Sequence, residues 1–185
     1  NDDVVDEIHW LVETYGVEEI QFLDDNFFVS KPRIKSLLKV LAEKFPDCVF
    51  SVPAGTEVNA LDHEVIDLLA KANFHKITLA IEAGDQDVQD ALIDKDVKLD
   101  RLPEMVSYIR SRGMSTQGLF MIGFPDETRK EIENTVSFAK KMKESGLDHS
   151  NFYLVMPVPG TPIFDYCTKK GHLPVDYNPD KFQWT

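Results

Sequence analysis

Ile77-Thr78-Leu79-Ala80-Ile81-Glu82-Ala83-Gly84 is a short apolar run that ends on a carboxylate and a glycine. It follows a helix stop at Ala72-Asn73, and its length and composition read as a strand buried in a sheet. Working outward, four more runs share this character: Glu19–Leu23, Val49–Pro53, Thr116–Gly123 and Phe152–Pro157. Amphipathic helices separate them. The first spans Val4–Thr14, with Val5, Ile8, Leu11 and Val12 on one face, and stops at Tyr15-Gly16. The next is expected to be capped by Ser30, with Pro32 in its first turn and Ile34, Leu37, Leu38 and Leu41 as its buried stripe. Later helices end at Phe45-Pro46, Ala72-Asn73, Arg112-Gly113 and Ser145-Gly146. Asn or Gly at three of these stops predicts left-handed C-caps leading into strands.

Regular βα alternation predicts an α/β fold with a parallel sheet, open or closed into a barrel. A helix precedes the first of the five strands. It needs a strand upstream to complete its unit, so the first βα unit is expected to be incomplete or missing. No linker or composition shift marks a second domain. The expected division is a core over 1–165 and an irregular C-terminal extension over 166–185, whose end carries Pro174, Tyr177, Pro179 and Trp184 without a period.

The bulk properties narrow the classes. A hydrophobic share of 43% over 185 residues supports a sizeable core. No apolar run approaches the roughly 18 residues of a membrane span, and Asn1-Asp2-Asp3 is unlike a signal peptide. A net charge of −12 argues against nucleic acid or an anionic membrane as a general partner and reads as a solvated acidic surface. Cys48 and Cys167 form no disulfide framework and fit a reducing cytoplasm. Cys48 opens an apolar run and is expected in the core; Cys167 falls on a late helix. His9, His63, His75, His149 and His172 show no metal-ligand spacing, and no metal ligand is assigned in the chain.

In parallel α/β folds chemistry sits at the C-terminal ends of strands. Asp24-Asp25-Asn26-Phe27-Phe28 follows the first strand. Adjacent carboxylates there read either as a site for an ammonium group or a metal, or as solvated acids in a helix-approach loop. Glu82 either accepts hydrogen bonds from sugar hydroxyls, with Gly84 allowing close approach, or reaches a Lys or Arg inside the barrel. Gly123-Phe124-Pro125-Asp126-Glu127-Thr128 follows the fourth strand, and Thr128 to Glu131 has capping-box spacing. Gly123 lets backbone come near a bound group, and the helix start favours an anion; simple turn chemistry is the other reading. Met156-Pro157-Val158-Pro159-Gly160-Thr161-Pro162 follows the fifth, with Thr161 as N-cap and Pro162 at N1. Its extended backbone either presents amides to a flat heterocycle or merely ends a strand.

Together these strand ends resemble the radical S-adenosylmethionine (radical SAM) superfamily, in the branch that often carries a cobalamin-binding domain. Glu19 through Phe27 resembles the second-strand motif, its acidic turn standing where other members have Gly-Gly-Glu. Pro53-Ala54-Gly55 through Leu61-Asp62 resembles the third-strand loop and following helix. Ile81-Glu82-Ala83-Gly84 is similar to Ile-Glu-Ser-Gly, Phe120 through Thr128 to the Gly-x-Pro-Gly-Glu-Thr turn, and Pro157 through Pro162 to Pro-x-Pro-Gly-Thr-Pro. Five matches in family order span nearly the whole chain.

The resemblance implies a partial (βα)6 TIM-like barrel with its active site at the open top. It implies S-adenosylmethionine (SAM) and a [4Fe-4S] cluster as cofactors, with cobalamin in some members, and cleavage of SAM to a 5′-deoxyadenosyl radical. Methyl transfer, ring rearrangement, thiomethylation and oxidation all occur on this scaffold. It places Asp24 and Asp25 on the methionine ammonium, with Asn26 beside them. Glu82 faces the ribose, next to Gly84. Backbone at Gly123, Phe124, Met156, Pro157 and Val158 lines the adenine. A small-molecule substrate and an electron donor such as flavodoxin or ferredoxin are the implied partners. The chain departs from the pattern in three ways. The Cys-x-x-x-Cys-x-x-Cys motif is expected upstream of Asn1, so this segment alone is expected to be inactive. Ala83 stands where the family has Ser, and Asp126 where it has Gly, which brings a negative charge to the cofactor side. Two other readings stand beside this one: a degenerate barrel acting as a partner-binding module, and a lyase or hydrolase holding a divalent cation on Asp24, Asp25 and Glu82.

Overall fold

The structure, a computed structural model, describes residues 1–93, 95–174 and 176–178. Five strands, β1 (Glu19–Gln21), β2 (Val49–Glu57), β3 (Phe74–Glu82), β4 (Ser115–Ile122) and β5 (His149–Leu154), form one sheet in the order β1-β2-β3-β4-β5. Every neighbouring pair is parallel. The helices are α1 (Asp2–Tyr15), α2 (Lys31–Lys44), α3 (His63–Lys71), the short α4 (Gln86–Val88), α5 (Leu102–Ser111), α6 (Arg129–Glu144) and α7 (Pro162–Lys170). This is the alternation the sequence predicts.

Local chemistry explains most boundaries. Asn73, Gly113 and Gly146 adopt positive φ (59°, 81° and 109°), as the three predicted stops require. Thr128 and Glu131 complete a capping box at α6. Thr161 caps α7, its hydroxyl accepting the Phe164 N–H at 3.3 Å. Ser30 occupies the N-cap position of α2, but its side chain makes no capping bond, contrary to expectation. The Pro179 and Trp184 of the expected extension lie outside the described residues, and α7 crosses residue 165.

Two strands differ from their expected extent. β1 stops at Gln21: Phe22 N–H still reaches Ser51 O at 3.0 Å, and then the chain turns. β5 begins at His149 and ends at Leu154, so Met156, Pro157 and Val158 lie in the loop beyond it. Its polar start, His149-Ser150-Asn151, pairs with Gln117, Gly118 and Leu119.

The sheet has two unlike faces, because residues in register share a side and alternate along each strand. Phe50, Val52, Ile77, Leu79, Ile81 and Phe120 face the helices and are at most 1% exposed. They pack in one core with Ile34, Leu37, Leu38 and Leu41 of α2, Val65, Ile66 and Leu69 of α3, Val106 and Ile109 of α5, and Met142 of α6. The other side carries Gln21, Ser51, Lys76, Thr78, Gln117, Asn151 and Tyr153, aligned through Gln21↔Ser51, Ser51↔Lys76, Thr78↔Gln117 and Met121↔Tyr153. Ala80, Leu119 and Met121 share that side, and a parallel sheet with one dry face and one partly polar face suits the wall of a barrel. The C-terminal edges of its strands then form one rim.

Candidate active site at the strand ends

At the end of β1 three buried phenylalanines set the loop. Phe22 and Phe27 rings lie 4.6 Å apart, Phe27 meets Phe28 edge-on at 5.0 Å, and Phe22 stacks on Phe50 and Phe74 at 6.0 Å. This aromatic anchor holds Asp24, Asp25 and Asn26 exposed on the rim. Their side chains make no hydrogen bond or ion pair to the described residues. Carboxylates presented this way can receive a cation or an ammonium group.

At the end of β3 the chain is built differently. The β3–β4 register shifts between Ala80 and Glu82, and Glu82 takes a left-handed backbone with φ 69°. Such a bulge re-aims a side chain relative to simple alternation. The two carbonyls that flank Glu82 are both held by one residue: the Gln89 amide group donates to Ile81 O and, at 2.7 Å, to Ala83 O. The Glu82 carboxylate is 14% exposed and pairs with Lys95 Nζ at 2.8 Å. The carboxylate thus has a cation partner, but Lys95 is 45% exposed rather than enclosed inside the barrel. Gly84 serves helix packing: its N–H donates to Thr135 Oγ1 at 3.0 Å, and a Cβ there would meet Phe138 Cβ at 2.5 Å. The small residue at 84 is required by the packing of α6.

At the end of β4, Gly123 has φ 84°, a conformation suited to glycine, and a Cβ there would meet only Leu154 at 3.9 Å. The Glu127 carboxylate accepts both the Gly123 N–H (2.5 Å) and the Phe124 N–H (3.1 Å). These two amides are thus already satisfied, and what the turn offers a ligand is open space and carbonyl oxygen. The Phe124 side chain is buried with Ala83 and Val88, so it supports the rim. Asp126 lies on the same recess as Gly123 and Pro157. Its carboxylate accepts the Tyr166 hydroxyl of α7, and that bond raises the tyrosine pKa above its ordinary value.

At the end of β5, Pro157 O accepts the Tyr177 hydroxyl. Gly123, Asp126, Val155 and Pro157 open onto one recess of about 290 Å³, closed on its far side by Ile163, Cys167 and His172. Met156 is half-buried and Val158 exposed. The predicted residues therefore fall into two groups on one rim: Asp24, Asp25 and Asn26 at β1, and Glu82, Gly123 and Pro157 across β3 to β5. A larger groove of about 540 Å³ lies between the starts of α3 and α5, lined by Asp62, His63, Arg101 and Met105, and contains none of them.

The donor set tests the metal expectations. Among the described residues no three His, Cys, Asp or Glu side chains are placed to hold a metal ion. Asp24, Asp25 and Glu82 do not form the cation site of the conventional lyase or hydrolase. Cys48 and Cys167 are both buried and free. Burial, with Asp47 and Glu18 adding to it, pushes the Cys48 thiol up, away from the thiolate a cluster needs. All five histidines are exposed. The chain's own residues do not fit a [4Fe-4S] cluster. The hydroxyls of Ser51 and Thr78, on the same side of the sheet as Gln117, are buried without partners among the described residues.

Gln89, Lys95, Glu127 and Tyr166 shape these strand ends and were not expected. Glu127 follows Gly123 by four residues inside the turn motif, which was a usable signal. Gln89 and Lys95 act through a loop whose path no local pattern specifies.

The profile of the radical SAM superfamily matches residues 1–139. The chain belongs to that superfamily. It is 31% identical over 177 residues to the cytidylyl-2-hydroxyethylphosphonate methyltransferase of Streptomyces wedmorensis, covering 92% of this chain and 32% of that protein. It is equally 31% identical over 170 residues to an uncharacterized methyltransferase of Pyrococcus horikoshii, covering 92% of this chain and 36% of the relative. The chain thus spans about a third of the length of the curated relatives it matches. The radical SAM methyltransferase TsrM of Kitasatospora setae, solved with cobalamin and a [4Fe-4S] cluster bound, superposes with a TM-score of 0.79 at 18% identity, over 91% of this chain and 33% of TsrM. That likeness establishes the fold: the five parallel strands are those of a radical SAM barrel, as expected from the sequence.

Proposed function

We propose that the chain is the SAM-binding barrel core of an enzyme that reductively cleaves SAM to a 5′-deoxyadenosyl radical. The [4Fe-4S] cluster, which supplies the electron for that cleavage, is held by cysteines elsewhere in the whole protein. The observation that carries the reading is the rim itself. An anchored acidic loop at β1, a buried-edge carboxylate at β3 and a glycine turn facing open space at β4 stand in the order the superfamily motif requires. Asp24 and Asp25, with Asn26, receive the methionine ammonium. Glu82 accepts the ribose hydroxyls and releases Lys95 to do so. Gly123 and Phe124 backbone, with Met156, Pro157 and Val158, borders the adenine. Gly84 belongs to this site through its backbone only.

The finer reading is methyl transfer to a small molecule with cobalamin. Support comes from the two relatives named as methyltransferases and from the barrel of TsrM. The electron donor is a flavodoxin or ferredoxin in a reducing cytoplasm. Nucleic acid is not expected as a partner, given the charge of −12. No helix among the described residues is long and apolar enough to cross a membrane. The core over 1–165 does the binding, and Cys167 and His172 beyond it complete the recess at the end of β5.

The test is anaerobic purification of the full-length protein, iron and sulfide analysis, and assay for 5′-deoxyadenosine with SAM and a reductant. About four irons per chain with SAM-dependent 5′-deoxyadenosine is the expected result. An iron-free protein that forms none would overturn the reading and leave a partner-binding barrel.

A further inference from the structure

We infer that Gln89 is a positioning residue for Glu82, fixing the conformation in which that carboxylate meets the nucleoside. The inference rests on the reading of Glu82 as a cofactor-facing residue. Glu82 holds a positive φ that side-chain-bearing residues rarely adopt, so something must hold it there. Gln89 is fully buried, and its amide nitrogen donates both its hydrogens to the carbonyls on either side of Glu82. Ile81 O belongs to the peptide unit that enters Glu82 and Ala83 O to the unit that leaves Ala83, so the two bonds clamp the turn on both sides of Glu82.

Two further observations set this apart from ordinary core satisfaction. Gln89 Oε1 is buried without a partner among the described residues. That orphan costs stability, and it accompanies two donated bonds that an apolar side chain could not supply. Gln89 also opens a π-helical turn, Gln89–Ile93, a local irregularity often found at functional sites. That turn leads directly to Lys95, which returns to the Glu82 carboxylate at 2.8 Å. The segment after β3 thus grips Glu82 twice, once by its backbone and once by its side chain. The backbone grip persists when a ligand takes the carboxylate from Lys95.

A double-mutant cycle in the full-length, cluster-loaded protein tests this, with SAM affinity read by equilibrium dialysis. Gln89→Met keeps the volume and removes both donors. It is expected to raise the Kd for SAM about tenfold and to add nothing in a Glu82→Gln background, because Gln89 acts only through Glu82. Amide hydrogen exchange at Glu82 and Ala83 is expected to quicken in Gln89→Met. If Glu82→Gln weakens binding while Gln89→Met does not, or if the two losses simply add, the positioning role is overturned and the cofactor-facing reading of Glu82 survives. If Glu82→Gln binds SAM like the wild type, that reading fails, and this inference with it. Gln89→Glu, which can donate at most one hydrogen, serves if the methionine variant does not fold. An intermediate loss is expected, and wild-type affinity overturns the proposal.

Discussion

The ends of β1 and β3 both carry carboxylates, yet they are built in opposite ways. At β1 the acids bond to none of the described residues, and the support lies in the packed rings of Phe22, Phe27, Phe50 and Phe74. At β3 the acid itself is held: a strained backbone, a buried glutamine and a lysine fix one carboxylate. The difference teaches what each end is prepared for. Free, exposed carboxylates suit a charged group that brings its own attraction, such as an ammonium. A single pre-oriented carboxylate suits neutral hydroxyls, whose weaker bonds gain most from geometry fixed in advance.

The comparison can be broken first at its aromatic side. Phe27→Ala removes a 3%-exposed ring and is expected to cost about 3–5 kcal/mol in urea unfolding. Amide exchange at Phe22 and Val29, which flank the acidic loop and donate to Ser51 O and Asn26 O, should quicken, while the β3 end keeps its own protection. Equal loosening at both ends would show that the two are not separately built.

Gly84→Val attacks the β3 side through packing. Its side chain would collide with Phe138 and with Thr135 Cα, 2.9 Å from the new Cβ. A loss of about 1–3 kcal/mol is expected in the same assay. No loss would mean that α6 is not seated on Gly84.

Glu82→Gln separates binding from stability. Lys95 is 45% exposed, so losing this ion pair should change folding by less than about 1 kcal/mol. SAM binding by the full-length protein should nonetheless weaken about tenfold, the worth of roughly one strong charge-assisted hydrogen bond. A change in stability with no change in affinity would reduce Glu82 to a structural acid.

The smallest effect lies away from both ends, at the start of α3. Partial burial pushes the Asp62 carboxyl up, but the Val65 N–H and Lys31 outweigh it and leave the pKa below its ordinary value. A carboxyl lowered on folding adds stability that is complete above its unfolded pKa of about 4 and is lost as pH falls through the lower folded value. Asp62→Asn should flatten that acid dependence slightly, and a steeper curve would contradict the assignment. The side chain is 42% exposed, so the change is small.

Much of this fold was legible because its rules are local. Ile34, Leu37, Leu38 and Leu41 repeat at helical spacing and are all fully buried. Asn73, Gly113 and Gly146 stop helices by a conformation that few residues adopt cheaply. Thr128 and Glu131 satisfy each other within one turn. The start of β5 was hidden because His149 and Asn151 lie on the polar side of the sheet, where a strand carries no apolar signature. The site was legible as positions but not as partners. Glu82 was found at its strand end, whereas Lys95 and Gln89 reach it only through the loop and π turn that follow. The partner of Asp126 was hidden for a related reason: the Tyr166 hydroxyl that it accepts lies 40 residues away.

The most direct test is a crystal structure of the anaerobically prepared full-length protein with SAM bound. The account predicts Glu82 within about 3 Å of the ribose hydroxyls, Lys95 released from it, and the methionine ammonium against Asp24 and Asp25. SAM bound away from the strand ends, with Glu82 still on Lys95, would contradict it.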